Sequence, residues 1–106
     1  MKIALVQMDV VHGQPVENKK HVIEMLERAL DDNPDVIVLP EMWNTGYALN
    51  ELDGLADKDG LDSQDLLSHF ARKHAVAIIG GSVAIEKDGK FYNTTYVYNK
   101  SGDLIN

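Results

Sequence analysis

The sequence predicts an α/β fold, and three observations predict it. An apolar run, Ile3 to Met8, is followed by an amphipathic helical segment and then by a second apolar run, Val36 to Leu39. Short runs of this kind, without polar alternation, mark strands of a parallel sheet, and a helix between two of them makes a right-handed βαβ unit. The third observation is the turn pair Asp88-Gly89 between two further strand-like stretches, which marks an antiparallel hairpin.

Each element has its own local justification. Ile3–Met8 carries one polar residue, Gln7, and reads as a strand buried on both faces, in which the Gln7 amide needs a core hydrogen bond. Asp9–Gln14 is a loop. Pro15 suits a first helical position and Glu17 favours the helix dipole, while Val16, Val22, Ile23, Leu26, Ala29 and Leu30 recur on one face through Asp31. After Asn33-Pro34 the run Val36–Leu39 is a strand whose ladder must stop at Pro40, which has no N–H to give. From Asn44 to Leu61 glycines and aspartates suggest a long loop with room for a helical turn. Asp62 or Ser63 can cap a second helix that turns Leu66, Leu67, Phe70 and Ala71 inward and ends near His74. Val76–Ile85 returns to strand and pairs with Phe91–Tyr98. Ser101-Gly102 is another turn, and Asp103–Asn106 reads as the start of one more strand.

Composition narrows the function classes. The 106 residues fit one domain, 1–106, which at this size buries roughly two-thirds of its unfolded surface. A formal charge of -7, with ten scattered Lys and Arg, argues against nucleic acid or an anionic membrane as partner. No apolar run approaches the roughly 20 residues of a membrane span, and Met1-Lys2-Ile3 does not open a signal peptide, so a cytoplasmic location is expected. The absence of cysteine removes disulfides and thiol nucleophiles together. The four histidines have no metal-ligand spacing, and the aspartates 53 to 62 do not match a calcium loop, so neither metal nor cofactor is expected. Gly80-Gly81-Ser82 lacks the spacing and the lysine of a phosphate loop; close approach of two backbones explains it.

The chemistry centres on Glu41. A strand cut short by Pro40 presents this carboxylate at its carboxyl end, the edge where open α/β sheets bind ligands. Position alone leaves a solvated loop acid as the other reading.

The segment Leu39-Pro40-Glu41-Met42-Trp43-Asn44-Thr45-Gly46-Tyr47 resembles the first catalytic motif of the nitrilase superfamily, the carbon–nitrogen hydrolases that act on nitriles and amides. The opening Lys2-Ile3-Ala4-Leu5-Val6-Gln7, the helix bearing Glu17-Asn18, and the stretches Ala77–Ser82 and Tyr92-Asn93-Thr94 match in order. Glu-Met-Trp with Thr45-Gly46-Tyr47 is most similar to the omega-amidase-like branch, which hydrolyses the terminal amide of small 2-oxo acids. The resemblance implies the N-terminal half of an αββα sandwich, a mixed sheet with two helices on one face, in a homo-oligomer.

It also implies a Glu-Lys-Cys mechanism in which Glu41 takes the proton from the thiol and later from water. Removal of that carboxylate from water would suit the role by raising its pKa. The implied lysine falls beyond Asn106 and the cysteine much further on; Lys100 precedes the Ser101-Gly102 turn and does not match. The chain is thus expected to be a partial domain, inactive alone. Trp43 and Tyr47 are candidate substrate-binding residues, with packing of the loop as their alternative. For Asn93 a structural hydrogen bond is the preferred role. The rival readings are a non-catalytic α/β binding module and an interaction domain built on an uncovered sheet face.

Overall fold

The computed structural model describes residues 1–105. In chain order its elements are β1 (Ile3–Leu5), α1 (Pro15–Ala29), β2 (Val36–Val38), β3 (Asp57–Lys58), α2 (Leu61–His74), β4 (Ala77–Ile79), β5 (Val83–Lys87), β6 (Lys90–Thr94) and β7 (Val97–Tyr98). One sheet has the order β1-β2-β4-β7, and the second has β3-β5-β6. The first three strands of the larger sheet are parallel and β7 closes it antiparallel, so the sheet is mixed, with both helices on one face. No helix among the described residues is long and apolar enough to cross a membrane.

Register explains which face is filled. Ala4, Ile37, Ile78 and Tyr98 lie across from one another in the larger sheet and turn toward the helices. There they meet Val22 and Leu26 of α1 and Leu67, Phe70 and Ala71 of α2, all buried. Side chains alternate along a strand, so the neighbouring rows Ile3–Val36–Ala77 and Leu5–Val38–Ile79–Val97 point the other way. That face is open: Ile3, Leu5 and Ile79 are 55%, 72% and 40% exposed. The expected burial of the first strand on both faces is therefore corrected to one face. Gln7 lies past the end of β1 and is exposed, without the core bond expected of it. Val16, assigned to the apolar stripe of α1, is also exposed.

Two long strand-like stretches divide. Val76–Ile85 becomes β4 and β5 in different sheets, because the chain bends at Gly80-Gly81, where Gly81 has φ +60° and a side chain would strike the Pro40 carbonyl. Phe91–Tyr98 divides in parallel into β6 and β7. The hairpin turn is as expected: Lys87 faces Lys90, and Asp88 and Gly89 have φ +53° and +76°, the signs of a type I′ turn. Near the end of the chain Leu104 makes only an isolated bridge to Tyr98, and Asn106 lies outside the described residues.

The start of α2 departs from expectation. Neither Asp62 nor Ser63 caps it; Gly60 occupies the cap position at φ +67°, and Asp57 of β3 accepts the N–H groups of Asp62 and Ser63 at 3.2 and 2.7 Å. A carboxylate at a helix N-terminus also faces the positive end of the dipole. We expect Asp57→Ala to cost about 1 kcal/mol of stability in urea unfolding; an unchanged midpoint would remove the cap from the account. The open sheet face leads to a second expectation, since exposed apolar patches seldom stay bare. The 106-residue chain should self-associate in sedimentation runs, and a Leu5→Glu, Ile79→Glu pair should favour monomer without loss of helical signal. A monodisperse monomer of the parent chain would contradict this.

Candidate active site

The site begins where β2 ends. Leu39 N–H donates to the Ile79 carbonyl at 3.0 Å as the last rung, and Pro40 cannot continue. The chain then turns sharply: Met42 adopts φ +48°, a conformation that costs a non-glycine residue about 1–2 kcal/mol. The segment after Gly81 holds that turn. Ser82 Oγ accepts the Met42 N–H at 2.9 Å, the Ser82 carbonyl accepts the Trp43 N–H at 3.1 Å, and Ser82 N–H returns a bond to the Pro40 carbonyl at 3.3 Å. The close backbone approach expected at Gly80-Gly81-Ser82 is the base of this arrangement.

The rest of the loop is pinned at several points. Trp43 is 2% exposed and its indole N–H donates to the Gly80 carbonyl at 3.0 Å, so the ring packs beneath the loop. The Asn44 side chain imitates a strand neighbour of β5: its Nδ2 donates to the Ala84 carbonyl and its Oδ1 accepts the Ala84 N–H, both at 2.9 Å. Thr45 donates its hydroxyl to the Gly46 carbonyl, and its own carbonyl accepts the Gly13 N–H at 2.9 Å. Gly46 has φ +62° and lies against Val10 and His12, which leaves little room for a side chain.

These constraints bring Glu41 and Tyr47 together. The Tyr47 hydroxyl donates to Glu41 Oε2 at 2.6 Å, a short charge-assisted bond. Glu41 is exposed, where withdrawal from water would have suited a general base; among the described residues nothing buries it. Tyr47 is 62% exposed, and both its hydrogen bond to Glu41 and the nearby negative charge hold its phenol above the ordinary tyrosine range. A hollow of about 620 Å³ is an open groove between α1 and α2 lined by Lys19, Ile23, Leu66 and His69, on the helical side, with neither Glu41 nor Tyr47 in its lining. Asn93 is exposed on the edge strand β6, and Lys100 makes a loose ion pair with Asp35 at 3.9 Å.

Sequence reading missed Met42, Ser82, Asn44 and Asn18 as parts of this site. Asn18 carried a usable signal: it stands four and eight residues before Val22 and Leu26, a polar side chain on the core-facing stripe of α1. It is fully buried. The Met42 conformation and the Ser82 contacts depend on neighbouring strands 40 residues apart and had no local sign.

Comparison with known proteins adds a family. The family model described as carbon–nitrogen hydrolase matches residues 2–106. A 2-oxoglutaramate amidase of Bacillus subtilis (strain 168) is 45% identical over 103 residues, covering 97% of this chain and 39% of that protein. An omega-amidase of Saccharomyces cerevisiae is 30% identical over 113 residues, covering 99% of this chain and 39% of its own length. The crystal structure of a Saccharomyces cerevisiae protein of branch 10 of the nitrilase superfamily superposes with a TM-score of 0.86 at 27% identity, over 100% of this chain and 42% of that one. The chain thus spans about two-fifths of the length of these relatives.

The Glu41–Tyr47 bond can be read directly. In a pH titration followed by tyrosine absorbance and ring-labelled NMR, the phenols of Tyr47, Tyr96 and Tyr98 should titrate above the ordinary range, and only that of Tyr47 should return toward it in Glu41→Gln. Tyr98, which burial pushes up to about 12, should not move and serves as the internal reference. A Tyr47 titration indifferent to Glu41→Gln would break the pair.

Proposed function

This chain belongs to the carbon–nitrogen hydrolase family, and on that footing we propose that it is the N-terminal part of an amidase for small terminal amides, with Glu41 as general base. The observation that carries the reading is the carboxylate of Glu41, delivered at the carboxyl end of β2 and held by Tyr47 at 2.6 Å. A base must hold its orientation to be effective, and a strand-end loop clamped at both sides supplies that orientation. The similarity to a 2-oxoglutaramate amidase and to an omega-amidase supports a short 2-oxo acid bearing a terminal amide as substrate.

In the proposed reaction a thiol from the remainder of the protein attacks the amide carbon while Glu41 accepts the thiol proton. The carbon–nitrogen bond then breaks, and that proton leaves with ammonia. Water attacks the resulting thioester, Glu41 takes a proton from it, and the thiol is restored as the acid departs. A lysine from the same remainder would stabilise the oxyanion. Tyr47 would face the substrate and Trp43 would shape that wall from beneath. The 106 residues alone contain no cysteine and should not turn over. The acidic balance, net -7, supports an enzyme with neither nucleic acid nor an anionic membrane as partner, and a cytoplasmic homo-oligomer is the expected form.

The test is ammonia release from 2-oxoglutaramate and simple aliphatic amides by the full-length protein. Glu41→Gln should lower kcat by about 10²–10⁴-fold, the range of general-base contributions. No hydrolysis of any amide by the parent, or full activity in Glu41→Gln, would favour the non-catalytic binding module instead.

A further inference from the structure

We propose that Asn18 is a positioning residue for the Glu41–Tyr47 pair, acting through the backbone it grips. It lies in the first turn of α1 and is 0% exposed, on the stripe that continues as Val22 and Leu26. A polar amide buried there must be fully partnered or it destabilises the fold. Its Oδ1 accepts the Val11 N–H at 2.7 Å, and its Nδ2 donates to the Val11 carbonyl and to the Asn44 carbonyl, each at 2.8 Å. Both N–H groups and the oxygen are used.

The grip falls at the middle of the loop. Asn44 is three residues after Glu41 and three before Tyr47, so its backbone is the point about which the two arms of the turn close. Its side chain is already fixed to Ala84 of β5, and Asn18 fixes its carbonyl from the opposite side. The same amide holds Val11, and Gly13 holds Thr45, which locks the β1–α1 loop to the Glu41 loop. With the centre clamped between helix and sheet, the arms are held where a 2.6 Å contact forms.

Neither side chain of similar size satisfies these partners. Aspartate would set an oxygen against two carbonyl oxygens, and leucine would orphan the Val11 N–H and the Asn44 carbonyl. The proposal rests on the amidase reading for what the pair is positioned to do, while its physical content is the Glu41–Tyr47 geometry.

The experiment uses the full-length protein with ring-labelled tyrosine and compares Asn18→Asp with Val22→Ala, a cavity-forming change one turn further along α1. In Asn18→Asp the raised Tyr47 titration should relax toward about 10. Its kcat for a small amide should fall about tenfold or more with KM little changed, as expected when a reacting group is misplaced by a fraction of an ångström to an ångström. Val22→Ala should lower thermal stability yet leave the Tyr47 titration and kcat in place. Should Asn18→Asp not fold, Asn18→Ser, which is shorter and cannot reach both backbones, carries the same readouts. A Tyr47 titration that stays raised without Asn18, or that falls equally in Val22→Ala, overturns the proposal. If the parent hydrolyses no amide, the amidase reading falls and the titration alone decides the role of Asn18.

Discussion

The arrangement depends on one close approach of backbone to backbone, between Pro40–Trp43 and Gly80–Ser82. The two segments leave the sheet side by side because β2 and β4 are parallel neighbours. Pro40 ends one ladder and Gly81, at φ +60°, allows the other chain to pass directly over the Pro40 carbonyl. Three hydrogen bonds through Ser82 then offset the left-handed turn at Met42. Widen that approach, and the turn loses the partners that keep an L-residue in a left-handed conformation. Glu41 immediately precedes Met42, so the direction of its side chain follows from a conformation that this contact helps sustain.

How much of this the sequence disclosed follows the range of the forces involved. The helices, the parallel strands and the Asp88-Gly89 hairpin were legible because apolar periodicity and turn chemistry are local. Pro40 likewise announced the end of the β2 ladder, and Glu41 with it. The division of Val76–Ile85 was not legible, although Gly80-Gly81 stood in plain view, because the reason for it is the Pro40 carbonyl in another part of the chain. Asp57 as the cap of α2 escaped for the same kind of reason: Asp62 and Ser63, nearer the helix start, were better local candidates, and the β3–β5 pairing decided otherwise. The burial of Ile3–Met8 was overestimated because an unbroken apolar run says that two faces are apolar, not that both are covered.

The exposure of Glu41 and that of the sheet face share this logic. Ile3, Leu5 and Ile79 are apolar residues without a covering layer, and Glu41 is an acid without a surrounding wall. In water an exposed carboxylate gains little from a single neighbour unless its rotamers are already restricted. Here the partner is a phenol six residues along the same clamped loop, so little additional freedom is lost in forming the bond. The 2.6 Å contact is thereby a property of the loop and not of a closed pocket.

The distribution of buried polar side chains supports the same view from energetics. Asn18, Asn44, Thr45, Ser63 and Ser82 are the buried polar residues of the described chain, and all but Ser63 touch the Glu41 loop. None of the buried side-chain nitrogens or oxygens among the described residues lacks a partner. Burying a polar side chain that is merely satisfied adds little over a well-packed apolar group of the same size, so stability alone does not account for two amides and two hydroxyls in one place. What an amide adds is direction: its bonds have angles, and each fixes one backbone group against another. Apolar packing holds the helices to the sheet without fixing any one angle. Directional bonds replace it around the one loop that must bring a carboxylate and a phenol to a defined separation.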